Sequence, residues 1–284
     1  MNRCIPYLVP LRDTLPRIAA ALLLAGAALA LGPLPASADL CDETEWSRTS
    51  FGDRGKTVRD YRSMREEAPQ GVWRIDAGEN GSVQLSDWER DEVLICAEVA
   101  AWSPDRVRAE KLLRSIHVET DGGRLRAAGP AQSKSARWAV SFRIFAPRST
   151  DLDVEALNGG VSVEGIRGRM TLRTENGPLR IIGAGGDIRG RTSNGPLAVT
   201  LAGSRWDGRG LDVETTNGPV QLSIPRRYSA ELTTGTENGP MAGHYVGASR
   251  RGRSRHVTTV LGSGGAPIRV VTTNGPVVVQ HDGK

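Results

Sequence analysis

Three groups of side chains in this sequence have types and spacings that could do chemistry. Asp151, Asp153 and Glu155 stand on alternate positions of one segment. If that segment is a strand, the carboxylates share a face, where they could hold a cation or supply the acid/base pair of a glycan-cleaving enzyme. A solvated strand face is the plainer reading and the one favoured here. Arg250, Arg251, Arg253 and Arg255 crowd one short stretch, a candidate contact for an anionic polymer. Its plainer reading, again favoured, is a solubilising loop. Cys41 and Cys96 are the cysteines that remain once an export signal is set aside, and an even number in an oxidising compartment reads as one disulfide.

Other arrangements fail on spacing. His117, His244, His256 and His281 have no motif spacing to one another, and no CxxC suggests a metal. The run GAGGDIRG between Gly183 and Gly190 has the glycines of a phosphate cradle, but no helical pattern follows it, so it reads as tight corners. Trp73, Trp88, Trp102, Trp138 and Trp206 could stack on sugars, although core or cap packing is the expected use. No cofactor is expected.

The elements that must position these groups begin after residue 38. Arg3, Arg12 and Arg17 precede an unbroken apolar run from Ile18 to Leu31, then Gly32-Pro33, then Ala36-Ser37-Ala38. That order predicts a secretory signal cleaved after Ala38, with no membrane-spanning segment in the mature chain. Leu40, directly before Cys41, argues against lipidation. The signal carries Arg3, Arg12, Arg17 and Asp13, so it accounts for +2 of the formal +5, and the mature chain is not basic enough to indicate a specific nucleic-acid binder. Few aromatics and many glycines favour short strands with many turns.

A repeated phrase dominates the second half. MTLRTENGPLRI, DIRGRTSNGPLAV, LDVETTNGPVQL, TTGTENGPMAG and IRVVTTNGPVVV share Thr-x-Asn-Gly-Pro-apolar, with asparagines Asn176, Asn194, Asn217, Asn238 and Asn274. VEALNGGVSV adds Asn158, and AGENGSVQL adds Asn80. From Asn158 the steps are 18, 18, 23, 21 and 36 residues, the last holding an insertion. Around each turn the residues alternate, so Met170, Leu172, Thr174 and Asn176 are expected on one face, and Leu179 with Ile181 inside. Asn-Gly alone would favour a hairpin. Pro178, Pro196, Pro219, Pro240 and Pro276 have no N–H to return across such a turn, so each phrase reads as a corner from which a new strand starts. Successive coils then stack, each pairing with its neighbours, the asparagine amides bonding along one edge. Leu179, Leu197, Val220 and Val277, joined by Met241, form the expected inward ladder.

The amino-terminal part is less regular. Residues 39–70 are polar and poorly patterned, which is compatible with partial disorder. Residues 71–150 read as irregular first coils, or a cap, with one short helix in SPDRVRAEKLLRSIHV. Ser103 is its expected N-cap, Pro104 its first residue, and Val107, Leu112, Leu113 and Ile116 its apolar face. Residues 151–284 form the regular repeat.

The run LNGGVSVEGIRGRMTLRTENGPLRIIGAGGDIRGRTSNGPLAV, with RWAVSFRIFAPRSTDLDVEALNGG before it, resembles the bacterial putative-adhesin β-strand-repeat domain over roughly Val72 to Gln280. The resemblance implies an all-β, right-handed single-stranded parallel β-helix (a β-solenoid), export, no established enzyme activity, and no catalytic residue to carry over. The expected function is an envelope or surface binding and scaffolding module, in the periplasm, cell envelope or outside the cell. Its partner would be an envelope glycan or other anionic polymer, or another envelope protein. The alternative is a polysaccharide lyase or hydrolase built on the same fold.

Overall fold

Strands form wherever apolar side chains alternate with polar ones. The computed structural model describes residues 40–41, 57–121, 123–243 and 255–282, all within the unit Ser37–Lys284. They are mostly β, in two ten-stranded sheets. Sheet A runs, in spatial order, β1 (Thr57–Glu67), β4 (Glu92–Trp102), β7 (Arg137–Pro147), β3 (Val83–Trp88), β9 (Val161–Glu164), β11 (Leu179–Ile182), β13 (Leu197–Thr200), β15 (Val220–Pro225), β20 (Val277–Asp282) and β17 (Met241–Gly243). Sheet B runs β18 (Arg255–Leu261), β16 (Ala230–Asn238), β19 (Pro267–Asn274), β14 (Gly210–Asn217), β12 (Gly185–Asn194), β10 (Arg167–Thr174), β8 (Asp151–Ala156), β2 (Val72–Asp76), β6 (Arg124–Ala128) and β5 (His117–Thr120).

From β8 to β17 the chain alternates between the sheets, one strand in B and the next in A, and each such pair makes a coil. Neighbouring coils pair in parallel: β8 with β10, β10 with β12 and β12 with β14 in sheet B, and β9 with β11, β11 with β13 and β13 with β15 in sheet A. The register aligns Val161, Leu179, Leu197, Val220, Val277 and Met241 across sheet A. All but Met241 are buried, as are Met170, Leu172, Ile188, Leu211 and Val213 on the facing strands. Each such side chain contributes about 1.5–3 kcal/mol by leaving water.

Coil order departs from chain order at both ends. The last coil, β19 with β20, does not close the stack. It lies between the coil of β14 and β15 and the coil of β16 and β17. The long step before Asn274 supplies β18, which pairs antiparallel with β16 and covers that edge of sheet B. At the other end, the coil of β2 and β3 sits between β8 and β9 on one side and β6 and β7 on the other. Strands β7, β4 and β1 then add antiparallel to one another, as β5 does to β6. Antiparallel strands at the ends change the pairing pattern that a further copy would need to add on.

Three local expectations are corrected. Residues 57–67, read from sequence as poorly patterned, form the eleven-residue strand β1. Its charges are accommodated at the sheet edge, and Arg59 reaches the buried Glu98 at 3.0 Å. Burial lifts the Glu98 carboxyl above its usual range, with Arg59 pulling the other way. The helix, α1 (Arg106–Arg114), is capped by Asp105, whose carboxylate accepts from the Arg108 N–H at 2.9 Å. Ser103 instead accepts from Asp105 N–H. Val107 is 71% exposed, and α1 packs on β1 and β4 through Ala109, with Ile116 following it into the core.

Cys41 and Cys96 are bonded, with Cα atoms 5.5 Å apart and a separation of 55 positions in the sequence. Such bonds persist in oxidising compartments. No helix among the described residues is long and apolar enough to cross a membrane. Reducing the bond is expected to lower the unfolding free energy by about 2–4 kcal/mol, the usual range for a natural cross-link. Denaturant titration with and without reductant measures this, and an unchanged midpoint would contradict it.

Candidate functional site

Each residue of the Thr-x-Asn-Gly-Pro phrase has a bonding partner or a packing role in the next coil. The asparagine amides form one continuous chain along an edge. Asn158 donates to Asn80, Asn176 to Asn158, Asn194 to Asn176, Asn217 to Asn194, Asn274 to Asn217 and Asn238 to Asn274, at 2.9 to 3.3 Å. At the far end, Asn80 donates to Gln132 and to the Trp138 carbonyl. From Asn158 to Asn274 the asparagines are exposed rather than on the inward face with Thr174, and Asn80 is half-buried. The inward alternation ends at the threonine, and the chain turns at the next two residues.

The threonines are buried, and four of their five hydroxyls donate to glycine carbonyls one coil away: Thr174 to Gly159, Thr192 to Gly177, Thr215 to Gly195 and Thr272 to Gly218, while Thr236 donates to Thr273 O. The glycines are required by contact. A Cβ on Gly177, Gly195, Gly218 or Gly275 would lie 1.9 to 2.2 Å from the preceding coil's glycine carbonyl. None of these four has a positive φ. The prolines stand one residue before the sheet A strands rather than at their first position, and their carbonyls accept from the adjacent coil, as Pro196 does from Leu179 N–H at 3.0 Å and Pro276 from Val220 N–H at 2.8 Å. The asparagine edge is therefore a structural seam. Replacing Asn194 by Asp should remove the donor to Asn176 and place a carboxylate beside its amide oxygen. We expect a loss of about 1–3 kcal/mol at neutral pH. Repulsion raises the new carboxyl's folded pKa, so stability should fall as pH rises through that range and recover in acid. Chemical melts at pH 3.5 and 7 would show this, and an equal loss at both would contradict it.

The three carboxylates on β8 face outward, each matched by an arginine on β10. Arg169 bonds Asp151 at 3.1 Å, and Arg173 bonds both Asp153 and Glu155 at 3.1 Å. The pattern recurs where Arg269 bonds Asp212 at 2.7 Å and Glu214 at 2.9 Å. Burial pulls the Arg269 pKa down, but the bonds it donates to Asp212 and Glu214, with their charges, outweigh this and hold the guanidinium above its ordinary range. A groove of about 520 Å³ beside the seam brings Glu79, Leu157 and Glu175 to one rim. Glu175 and Glu237 lie on coils separated by those of Asn194, Asn217 and Asn274. Among the described residues no group of three or more His, Cys, Asp or Glu side chains is placed to hold a metal ion.

The opposite edge, where sheet A strands return to sheet B, is built differently. Backbone bonds join its corners in sequence: Arg167 N–H to Arg148 O, Gly185 N–H to Ile166 O, Gly186 N–H to Asp207 O, and Ser229 N–H to Ser204 O. The GAGG run is one of these corners. A cleft of about 380 Å³ opens there, lined by Arg167, Gly183, Arg205, Trp206, Asp207 and Tyr228 among others. Arg167 is ion-paired to Asp207. The Trp206 indole donates to Gly186 O at 2.9 Å. Burial pushes the Tyr228 hydroxyl up to about 12, with Arg167 opposing. No local pattern in the sequence marks this cleft, because Arg167, Arg205 and Tyr228 meet only through the coil period. Of the basic cluster singled out in the sequence, Arg250, Arg251 and Arg253 lie outside the described residues, and Arg255 begins β18. Of the tryptophans, Trp73, Trp138 and Trp206 are buried, and Trp88 and Trp102 are half-buried.

No family model matches the chain, and no curated protein does. Solved structures similar to it include a putative cell adhesion protein from Clostridium sporogenes, at 11% identity and TM-score 0.41, covering 80% of this chain and 100% of that one. Another is a putative adhesin from Bacteroides fragilis, at 9% identity and TM-score 0.36, covering 78% and 97%. A third is named a putative lipid binding protein, from Parabacteroides distasonis, at 10% identity and TM-score 0.30, covering 80% and 97%. The first two carry the adhesin-type names of the family that the repeat run of this chain resembles.

Proposed function

We infer that this chain is an exported, non-catalytic binding and scaffolding module of adhesin type. Its coils wind as a right-handed single-stranded β-helix, the hand that parallel crossover connections favour. The observation that carries the reading is the use of its reactive side chains. The asparagines, threonines and β8 carboxylates bond one another from coil to coil, so the groups best suited to chemistry hold the stack together. What remains for a partner is the long outer surface. The sequence resemblance to adhesin-type repeats supports the same reading.

The test is retention of the mature protein on fractionated cell envelope, beside a turnover screen on acidic polysaccharides with and without calcium. Saturable retention with no turnover is expected. Turnover that disappears when Asp151, Asp153 and Glu155 are replaced by their amides would overturn the reading in favour of a lyase or hydrolase.

A further inference from the structure

The arginine edge has the chemistry of a ligand site, and the proposed function does not specify it. The cleft of about 380 Å³ lies at the lower end of the range of small-ligand pockets, the size of a short oligosaccharide segment rather than a protein surface. Its floor is open because the GAGG corner carries almost no side chains. A Cβ added at Gly183 would meet only Ala202, at 3.6 Å. Two guanidinium groups, Arg167 and Arg205, stand in its wall with the Tyr228 ring. Arg205 is exposed and pairs through its backbone with Ser229, which brings the exposed Arg227 loop alongside. Arg209, also exposed, is tied to the same corner by its N–H bond to Gly186 O at 2.9 Å. Adjacent strands are about 4.8 Å apart. Arginines on neighbouring corners are therefore within the roughly 8–10 Å Debye length and act as one field. Asp207 is the acidic side chain in the cleft lining, and it already occupies Arg167.

We propose that this cleft binds an acidic sugar unit of an anionic polysaccharide, with Arg205 and Arg227 holding its acid group and Asp207 as the internal anion that the ligand displaces from Arg167. Planar guanidinium groups suit carboxylate and sulfate alike, and give directional bonds that a lysine cluster would not. A nucleic-acid partner fits less well. Trp206 and Tyr228 are 7% and 4% exposed, so neither offers the free ring face on which a base would stack. The assignment rests on the reading of the chain as a binding module, and it names that module's ligand class.

The experiment uses the mature full-length chain and four probes: heparin, polygalacturonate, neutral dextran and a single-stranded oligonucleotide. The parent should bind both acidic glycans, in a salt-sensitive way, and not dextran. Preference between them distinguishes a sulfated from a carboxylated ligand. Arg205→Ser with Arg227→Ser should weaken binding about tenfold. Asp207→Asn should tighten it a few-fold, and more than Glu67→Gln on the edge strand β1, which adds the same unit of positive charge away from the cleft. Quenching of Trp206 emission, absent in Trp206→Phe, places the glycan at the cleft. The proposal is overturned if the double variant binds as the parent does, if Asp207→Asn weakens binding, or if the oligonucleotide binds more tightly than either glycan. Retention on cell envelope without binding to either acidic glycan overturns this ligand assignment and leaves the module reading intact. Loss of both overturns both.

Discussion

Gly195→Ala is expected to destabilise the protein by about 3 kcal/mol or more, the range of severe overpacking. The added Cβ would lie 2.0 Å from the Gly177 carbonyl oxygen, a backbone atom that cannot move without shifting its whole coil. Separating the two coils also strains the Thr192 bond to Gly177 O, at 2.8 Å, and the Asn194 bond to Asn176, at 3.0 Å. The control is Gly203→Ala. Gly203 has φ +76 with nothing within 4 Å of the added atom, so only backbone strain of about 1–2 kcal/mol is expected. Denaturant melts of the two variants give the contrast. Equal losses would mean that the phrase glycines serve backbone conformation rather than coil contact.

Ending the chain after Leu261 should do more than trim the stack. The last coil contributes Ile268, Val270, Val277 and Val279 to the core. Their burial is worth about 6–12 kcal/mol as an upper estimate. Because β19 and β20 lie between the coils of β14 and β16, their removal also strips β16, β17 and β18 of their link to the stack. Limited proteolysis with mass mapping should find the segment made of 226–243 and 255–261 resistant in the full chain and cut in the truncated one. Protection of that segment after truncation would contradict the inserted position of the last coil. The same arrangement means that residues 230–243, although β16 can pair with β18, must wait for the end of the chain before they join the stack, a non-local contact of the kind that slows folding.

These expectations show what the sequence carried and what it could not. Alternation placed Leu179, Leu197, Val220 and Val277 inside, because a period of two leaves a half-buried strand no other face to present. The missing proline N–H pointed to corners that lead from one sheet to the other, and the Asn-Gly turns do join strands of different sheets. Coil order was not legible. Asn217, Asn238 and Asn274 sit in nearly identical phrases, and a phrase that fits one neighbour fits any other, so only the long step before Asn274 hinted at a departure. Strand β1 was missed because its charges hide the pattern, and Arg59 is held by Glu98, a residue 39 positions away. The arginine cleft was missed for a related reason. Its arginines, Arg167 and Arg205, are 38 positions apart in the chain, and corner stacking alone brings them together.

The central claim is that the Asn-Gly-Pro phrases build one parallel stack with the last coil set inside it. The most direct test is cysteine trapping on the outer face of sheet A. Gln221 and Val278 are register partners, as are Val278 and Ala242. Gln221 and Ala242 are thus two strands apart, about 9.6 Å, beyond the reach of a disulfide. Under mild oxidation, Gln221→Cys with Val278→Cys should cross-link rapidly and Gln221→Cys with Ala242→Cys should not, as mass mapping would report. Cross-linking of the 221 and 242 pair with none between 221 and 278 would show coils stacked in chain order and contradict the account.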